Sequence, residues 1–157
     1  MKLKIGNGID VHALESGEDL ILGGIKIDSD YGIKGHSDGD LVIHALVDAI
    51  LGALSIGDIG QYFPSSNMKY KNISSITLLE STLEIITAAG WTIGNIDVTI
   101  IAQKPQISTF IELIKTSLSA ALNIKSSLIN IKATTTDGLG FIGQGKGIAC
   151  QSVALIE

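Results

Sequence analysis

The chain has 157 residues, enough for one domain with its own core, and 45% of them are hydrophobic against 17% charged. With a mean hydropathy of +0.40, that much apolar surface and so few charges point to an oligomer that hides a face of each subunit. A net charge of −5 without any basic run argues against nucleic acid as a partner, and all 11 basic residues are lysines, so bidentate guanidinium clamping of phosphate is excluded.

In chain order, "LKIGNGIDVHAL" alternates as a strand, which puts Asp10 and His12 on one face and Val11 toward the core. The segment "DLILGGIKI" predicts a strand pair turned at Gly23-Gly24. From Asp38 the pattern is helical, with Leu41, Val42, Ala45, Leu46, Ala49, Ile50, Ala53 and Leu54 on one apolar face, and Ser37 with Asp40 reads as a capping box at its start. His44 sits inside that helix with Asp40 and Asp48 a turn away on either side, either able to accept its second ring N–H. "SIGDIGQYFPSSNMKYKN" reads as a mobile loop. A second helix, "SITLLESTLEIITAA", stops at Gly90, and a buried strand, "NIDVTIIAQKP", ends at Pro105. A third helix, "ISTFIELIKTSLSAAL", precedes two strands, "LINIKATTT" and "GIACQSVALI", with a glycine-laden loop between them.

This alternation predicts an α/β layered fold, its sheet packed against helices on one face and other subunits on the other. The greasy run "LVIHALVDAILGAL" is broken by His44 and Asp48, which excludes a membrane span, and "MKLKIGNGID" lacks the apolar region of a secretory signal. The expected compartment is cytoplasmic. The single cysteine, Cys150, reads as a small buried thiol.

Asp10, His12 and His44 supply a carboxylate and two imidazoles, a set that leaves a fourth position open as in catalytic zinc sites and that also suits manganese or cobalt. His36 precedes a helix start, where free N–H groups and the helix dipole seat a phosphate oxygen. Asp58 follows the first helix, placed for sugar hydroxyls. Thr134, Thr135, Thr136 and Asp137 end a strand that opens into Gly138 and Gly140, a setting for phosphates and a hard cation such as Mg²⁺. Each feature has a plainer reading: a core histidine, a surface histidine beside a cap, a turn-forming aspartate, and threonines that merely favour strands.

Together, "GIDVHAL", "ILGGIKI", "GHSDGDLVIHALVDAILGAL", "GDIGQYFP", "NIDVTIIAQKPQI" and "IKATTTDGLGFIGQGKGIACQSVALI" resemble the 2-C-methyl-D-erythritol 2,4-cyclodiphosphate synthase family of the non-mevalonate isoprenoid pathway. The resemblance spans nearly the whole chain, as a single domain over 1–157. It implies a homotrimer of α/β subunits, each with a mixed four-stranded sheet, the sheets surrounding a central cavity and the active sites lying between subunits. The implied reaction is intramolecular: the 2-phosphate of 4-diphosphocytidyl-2-C-methyl-D-erythritol 2-phosphate attacks its β-phosphorus and expels CMP.

By family position, the resemblance assigns Zn²⁺ to Asp10, His12 and His44, and Mg²⁺ or Mn²⁺ to Asp137. It assigns transition-state stabilisation to His36 and Thr135, and ribose contacts to Asp58 and Gly60. The erythritol part falls to the 63–67 loop (Phe63, Pro64, Ser65, Ser66, Asn67). The cytosine pocket falls to the 102–108 segment (Ala102, Gln103, Lys104, Pro105, Gln106, Ile107, Ser108). Ser37, Ile59, Thr134, Thr136, Phe141 and Gln144 complete the implied substrate contacts.

The chain departs from the family at Asp137, where glutamate is usual, and in "FPSSN", where Ser65 and Asn67 replace aspartates of "FPDTD". Gln144 replaces an arginine and Lys146 an acid, in a region beside Phe141 that can hold an isoprenoid diphosphate in relatives. The alternative function is a non-catalytic trimer that binds cytidine or isoprenoid phosphates on the same scaffold.

Overall fold

The structure is a computed structural model that describes residues 2–35 and 37–157. Its main sheet has the order β1-β8-β6-β7, built from β1 (Lys4–Ala13), β6 (Ile93–Ile101), β7 (Ile129–Thr134) and β8 (Gly147–Ile156). β8 runs antiparallel to both β1 and β6, whereas β6 and β7 are parallel, so the sheet is mixed. Two short antiparallel pairs flank it: β2 (Glu15–Ser16) with β5 (Tyr31–Gly32), and β3 (Leu20–Leu22) with β4 (Ile25–Ile27) around the expected Gly23-Gly24 turn. The helices are α1 (Leu41–Leu54), α2 (Ile59–Tyr62), α3 (Ser75–Ala88), α4 (Ile111–Leu122) and α5 (Gly140–Gly143).

The core lies between one face of the sheet and α1, α3 and α4. It includes Leu46 and Ile50 of α1, Leu79 and Ile86 of α3, and Ile114 and Leu118 of α4, packed against Ile96, Val98 and Ile100 of β6. α1 approaches β1 at backbone distance. The face of β1 under the helix carries Gly6 and Gly8, where an added Cβ would sit 1.8 Å from the Ala49 carbonyl oxygen and 2.0 Å from that of Ala45. The bulky side chains of β1 point the other way, and Ile5, Ile9 and Val11 are 72%, 61% and 48% exposed. Val11 therefore does not turn to the core as its alternation suggested; the core side of β1 is glycine because the helix leaves no room for more.

The start of α1 also differs from the capping box expected at Ser37. Asp40 is the cap, its Oδ1 accepting the N–H groups of Val42 at 3.1 Å and Ile43 at 3.2 Å. The same carboxylate accepts N–H from Gly23 at 2.9 Å and Gly24 at 2.6 Å, so one fully buried side chain ties the β3–β4 turn to the helix. Burial pushes its pKa up to about 6, against the pull of the N–H groups of Gly24, Gly23 and Ile43. Asp40→Asn turns one acceptor oxygen into a donor facing an N–H group. The expected cost is about 1–3 kcal/mol, read from urea unfolding at neutral pH.

The segment expected to be a mobile loop is built from capped turns. Asp58 Oδ1 accepts the Gln61 N–H at 3.0 Å at the start of α2, and Asn67 Oδ1 accepts the Lys69 N–H at 3.0 Å at a 3₁₀ turn over Met68–Tyr70. Cys150 is fully buried, as expected, and burial pushes its thiol pKa up to about 12.

Candidate active site

Asp10 and His12 leave β1 on its helix side, and the close approach of α1 sets His44 opposite them. His12 Nε2 lies 2.8 Å and His44 Nδ1 3.1 Å from the same atom, Asp10 Oδ2. One ligand atom from each of the three residues lies within 4.8 Å of the others, and no other such group occurs among the described residues. The side chains are 24%, 27% and 15% exposed for Asp10, His12 and His44, so the cluster is walled but open on one side. Burial opposes ionisation of Asp10, yet the hydrogen bonds from His12 and His44 prevail and hold its carboxyl well below the usual carboxylate range. The hydrogen bond to Asp10 in turn raises the pKa of His12. Two imidazole nitrogens and a carboxylate oxygen converging in this way fit a divalent transition-metal ion.

The second nitrogen of His44 does not meet either aspartate expected to orient it. Asp40 is engaged at the helix cap, and Asp48 accepts the Ile59 N–H at 2.7 Å. His44 Nε2 instead lies 3.2 Å from both Ser37 Oγ and Ser75 Oγ. Ser75, at the first residue of α3, is a contact the sequence reading missed, since a serine at a helix start reads only as part of a cap. His36 lies outside the described residues.

Beside His12 and His44 opens a cavity of about 230 Å³ that collects five of the expected substrate residues, Ser37, Ile59, Gly60, Phe63 and Ser65. Tyr70 adds a wall not anticipated from sequence, packed edge-on against Phe63 at 5.6 Å. Pro64, Ser66 and Asn67 continue the same loop outside that lining, and Asp58 caps α2 at an exposed position.

A second cavity, of about 400 Å³, is lined by the whole 102–108 segment together with Ala133, Thr134 and Thr135. Its origin is the parallel pairing of β6 and β7. Ile101 and Thr134 are register partners, and the Ala102 N–H donates to the Thr134 carbonyl at 3.0 Å, so both strands end side by side. Thr135 Oγ1 donates to Asp137 Oδ1 at 3.2 Å and accepts the Asp137 N–H at 3.2 Å. The Gly138 N–H reaches Gln103 Oε1 at 3.2 Å, joining the two loops. The hydroxyl of Thr136 turns back to the Leu139 carbonyl at 2.7 Å. Gln144 lies apart from this cavity, lining a third of about 560 Å³ with Gln103, Lys104 and Lys146. Phe141 is half exposed and covers Gly147. The cavity beside Asp10, His12 and His44 and the strand-end pocket are thus separate within this chain.

No helix among the described residues is long and apolar enough to cross a membrane. The model of the YgbB family matches residues 3–157. A 2-C-methyl-D-erythritol 2,4-cyclodiphosphate synthase of Clostridium acetobutylicum is 53% identical over 154 residues, covering 98% of this chain and 99% of that protein. One from Natranaerobius thermophilus is 48% identical over 155 residues, covering 99% and 98%. The CDP complex of IspF from Plasmodium falciparum superposes with a TM-score of 0.87 at 38% identity, covering 98% of this chain and 95% of that one. Matched from end to end by family and by fold, the chain belongs to the YgbB family.

Proposed function

We propose that this chain is a cyclodiphosphate synthase of isoprenoid biosynthesis, converting 4-diphosphocytidyl-2-C-methyl-D-erythritol 2-phosphate to 2-C-methyl-D-erythritol 2,4-cyclodiphosphate and CMP. The observation that carries this reading is the convergence of Asp10, His12 and His44 beside a pocket, in a chain about half identical to such synthases over its full length. An oxygen of the 2-phosphate forms a bond to the β-phosphorus as the bond from that phosphorus to the bridging oxygen breaks, and CMP leaves with that oxygen. The substrate is its own nucleophile, so the protein must align two groups that repel each other. Alignment of this kind supplies on the order of 7–11 kcal/mol of the barrier.

Asp10, His12 and His44 are assigned to zinc and Asp137 to magnesium or manganese; when bound, these ions supply charge neutralisation and polarise phosphorus for attack. In a chain without arginine, that task falls to them more heavily. The 102–108 segment is assigned to cytosine through its backbone N–H and carbonyl groups, and the relative's CDP complex supports a cytidine nucleotide as the ligand class. Asp58 and Gly60 are assigned to ribose, the 63–67 loop to erythritol, and Thr135 with His36 to the phosphates in the transition state. The exposed apolar face with Ile5, Ile9 and Val11 supports burial between subunits of a homotrimer. Such an assembly would join the metal group of one subunit to the strand-end pocket of the next. A cytoplasmic enzyme of one domain over 1–157 completes the reading.

The test is ³¹P NMR of the purified protein with substrate, Zn²⁺ and Mg²⁺. A cyclic diphosphate with one equivalent of CMP is the expected result. An unchanged substrate spectrum would favour the non-catalytic binder, and a linear diphosphate or free phosphate would point to hydrolysis.

A further inference from the structure

We propose that Asp38 and Ser75 form a positioning relay for His44, fixing its ring so that Nδ1 faces the metal and tightening zinc binding at Asp10, His12 and His44. The inference rests on the reading of those three residues as a zinc site and assigns the partners that orient it.

His44 presents Nδ1 to Asp10 Oδ2 at 3.1 Å, so Nδ1 is its ligand nitrogen. A neutral imidazole that binds metal through Nδ1 carries its proton on Nε2, and a half-buried N–H needs an acceptor. Two hydroxyls stand 3.2 Å from Nε2, those of Ser37 and Ser75, and they are not equivalent.

The Ser75 hydroxyl donates its proton to Asp38 Oδ1, and the Ser75 N–H donates to Asp38 Oδ2 at 2.9 Å. With its proton so committed, Ser75 Oγ offers the ring only lone pairs. Ser75 is fully buried, so water does not compete for them. Asp38 is itself fixed: its Oδ1 accepts the Asp40 N–H at 3.2 Å, and its own N–H donates to the Ile73 carbonyl at 3.3 Å. Apart from the ring itself, Ser37 Oγ meets only the Gly39 N–H at 3.4 Å among the described residues, and it lines the cavity beside His12 and His44, so no carboxylate there fixes the direction of its proton.

The order is carboxylate, hydroxyl, imidazole, metal position. It is a carboxylate–histidine pair with a serine inserted, and it spans the loop before α1 and the start of α3. An anionic end group makes Ser75 a stronger acceptor, which raises the basicity of the ligating nitrogen. In Asp38→Asn the side-chain shape is kept, but an NH₂ group facing Ser75 would turn the hydroxyl proton toward the ring, donor against donor.

The experiment uses the full chain as wild type, Ser75→Ala, Asp38→Asn and Ser37→Ala. Zinc affinity is measured by competition with a chromophoric chelator, and the zinc-loaded proteins are followed by ¹⁵N-histidine NMR. The expected result is zinc binding weaker by about 10–100-fold in Ser75→Ala and Asp38→Asn, within about twofold of wild type in Ser37→Ala. Wild-type His44 should show a metal-bound Nδ1 and a slowly exchanging Nε2–H, with that protection lost in the first two variants. Melting of the metal-free proteins separates this loss from unfolding. If a variant does not fold, the wild-type spectrum still decides, because a metal-bound Nε2 would overturn the relay. Unchanged zinc affinity in folded Ser75→Ala and Asp38→Asn would overturn it while leaving the zinc site intact, whereas a wild-type protein that holds no zinc would overturn both.

Discussion

Alanine at His12 or His44 is expected to strip the protein of stoichiometric zinc and to lower turnover about a thousandfold or more, because Lewis-acid stabilisation is worth several kcal/mol and each 1.36 kcal/mol is tenfold in rate. Among the described residues Asp10, His12 and His44 are the only group of their kind, and each contributes one atom. On the zinc reading, removing one imidazole leaves two protein ligands where a catalytic zinc takes three. The chain has no arginine to take over the neutralisation of phosphate. Zinc content of the purified variants, measured beside ³¹P-monitored turnover and far-ultraviolet circular dichroism, checks this. Stoichiometric zinc retained in either folded variant would show that the ligand assignment is wrong.

The family resemblance alone brought His44 to Asp10, 34 residues away. The Asp10–His12 pair was legible from local geometry, since residues two apart on a strand share a face. The helices and main strands were legible for the same reason. What escaped was set by contacts between distant segments. Asp40 rather than Ser37 caps α1, since the N–H groups of Gly23 and Gly24 meet the same carboxylate and favour the residue that reaches both. Ser75 reaches His44 across 31 residues of sequence, and Asp38 reaches Ser75 across 37, and no periodicity records either. Val11 was misjudged because hydrophobicity ordinarily marks the core side of a strand. In β1 it marks the uncovered side, while the core side is marked by Gly6 and Gly8.

Those glycines carry the other large prediction. Gly8→Ala places a methyl 2.0 Å from the Ala45 carbonyl oxygen and 2.8 Å from the Ala49 nitrogen, and both atoms are backbone. A flexible side chain cannot yield in their place, so α1 has to move off the sheet. The core residues of α1 then lose their packing, and His44, next to Ala45, is drawn away from Asp10. The expected cost is about 3 kcal/mol, at the upper end of overpacking, or about 6–12 °C in melting temperature for a chain of this size. Zinc affinity should fall with it, since the ligands sit on the two elements being separated. Gly52→Ala, on the exposed side of the same helix with nothing within 4 Å, is the control. There the lost chain flexibility should stabilise the protein by about 0.5–1 kcal/mol. Calorimetric melting of both variants separates the effects, and a Gly8→Ala protein that melts as high as wild type would mean that backbone contact does not hold α1 against β1.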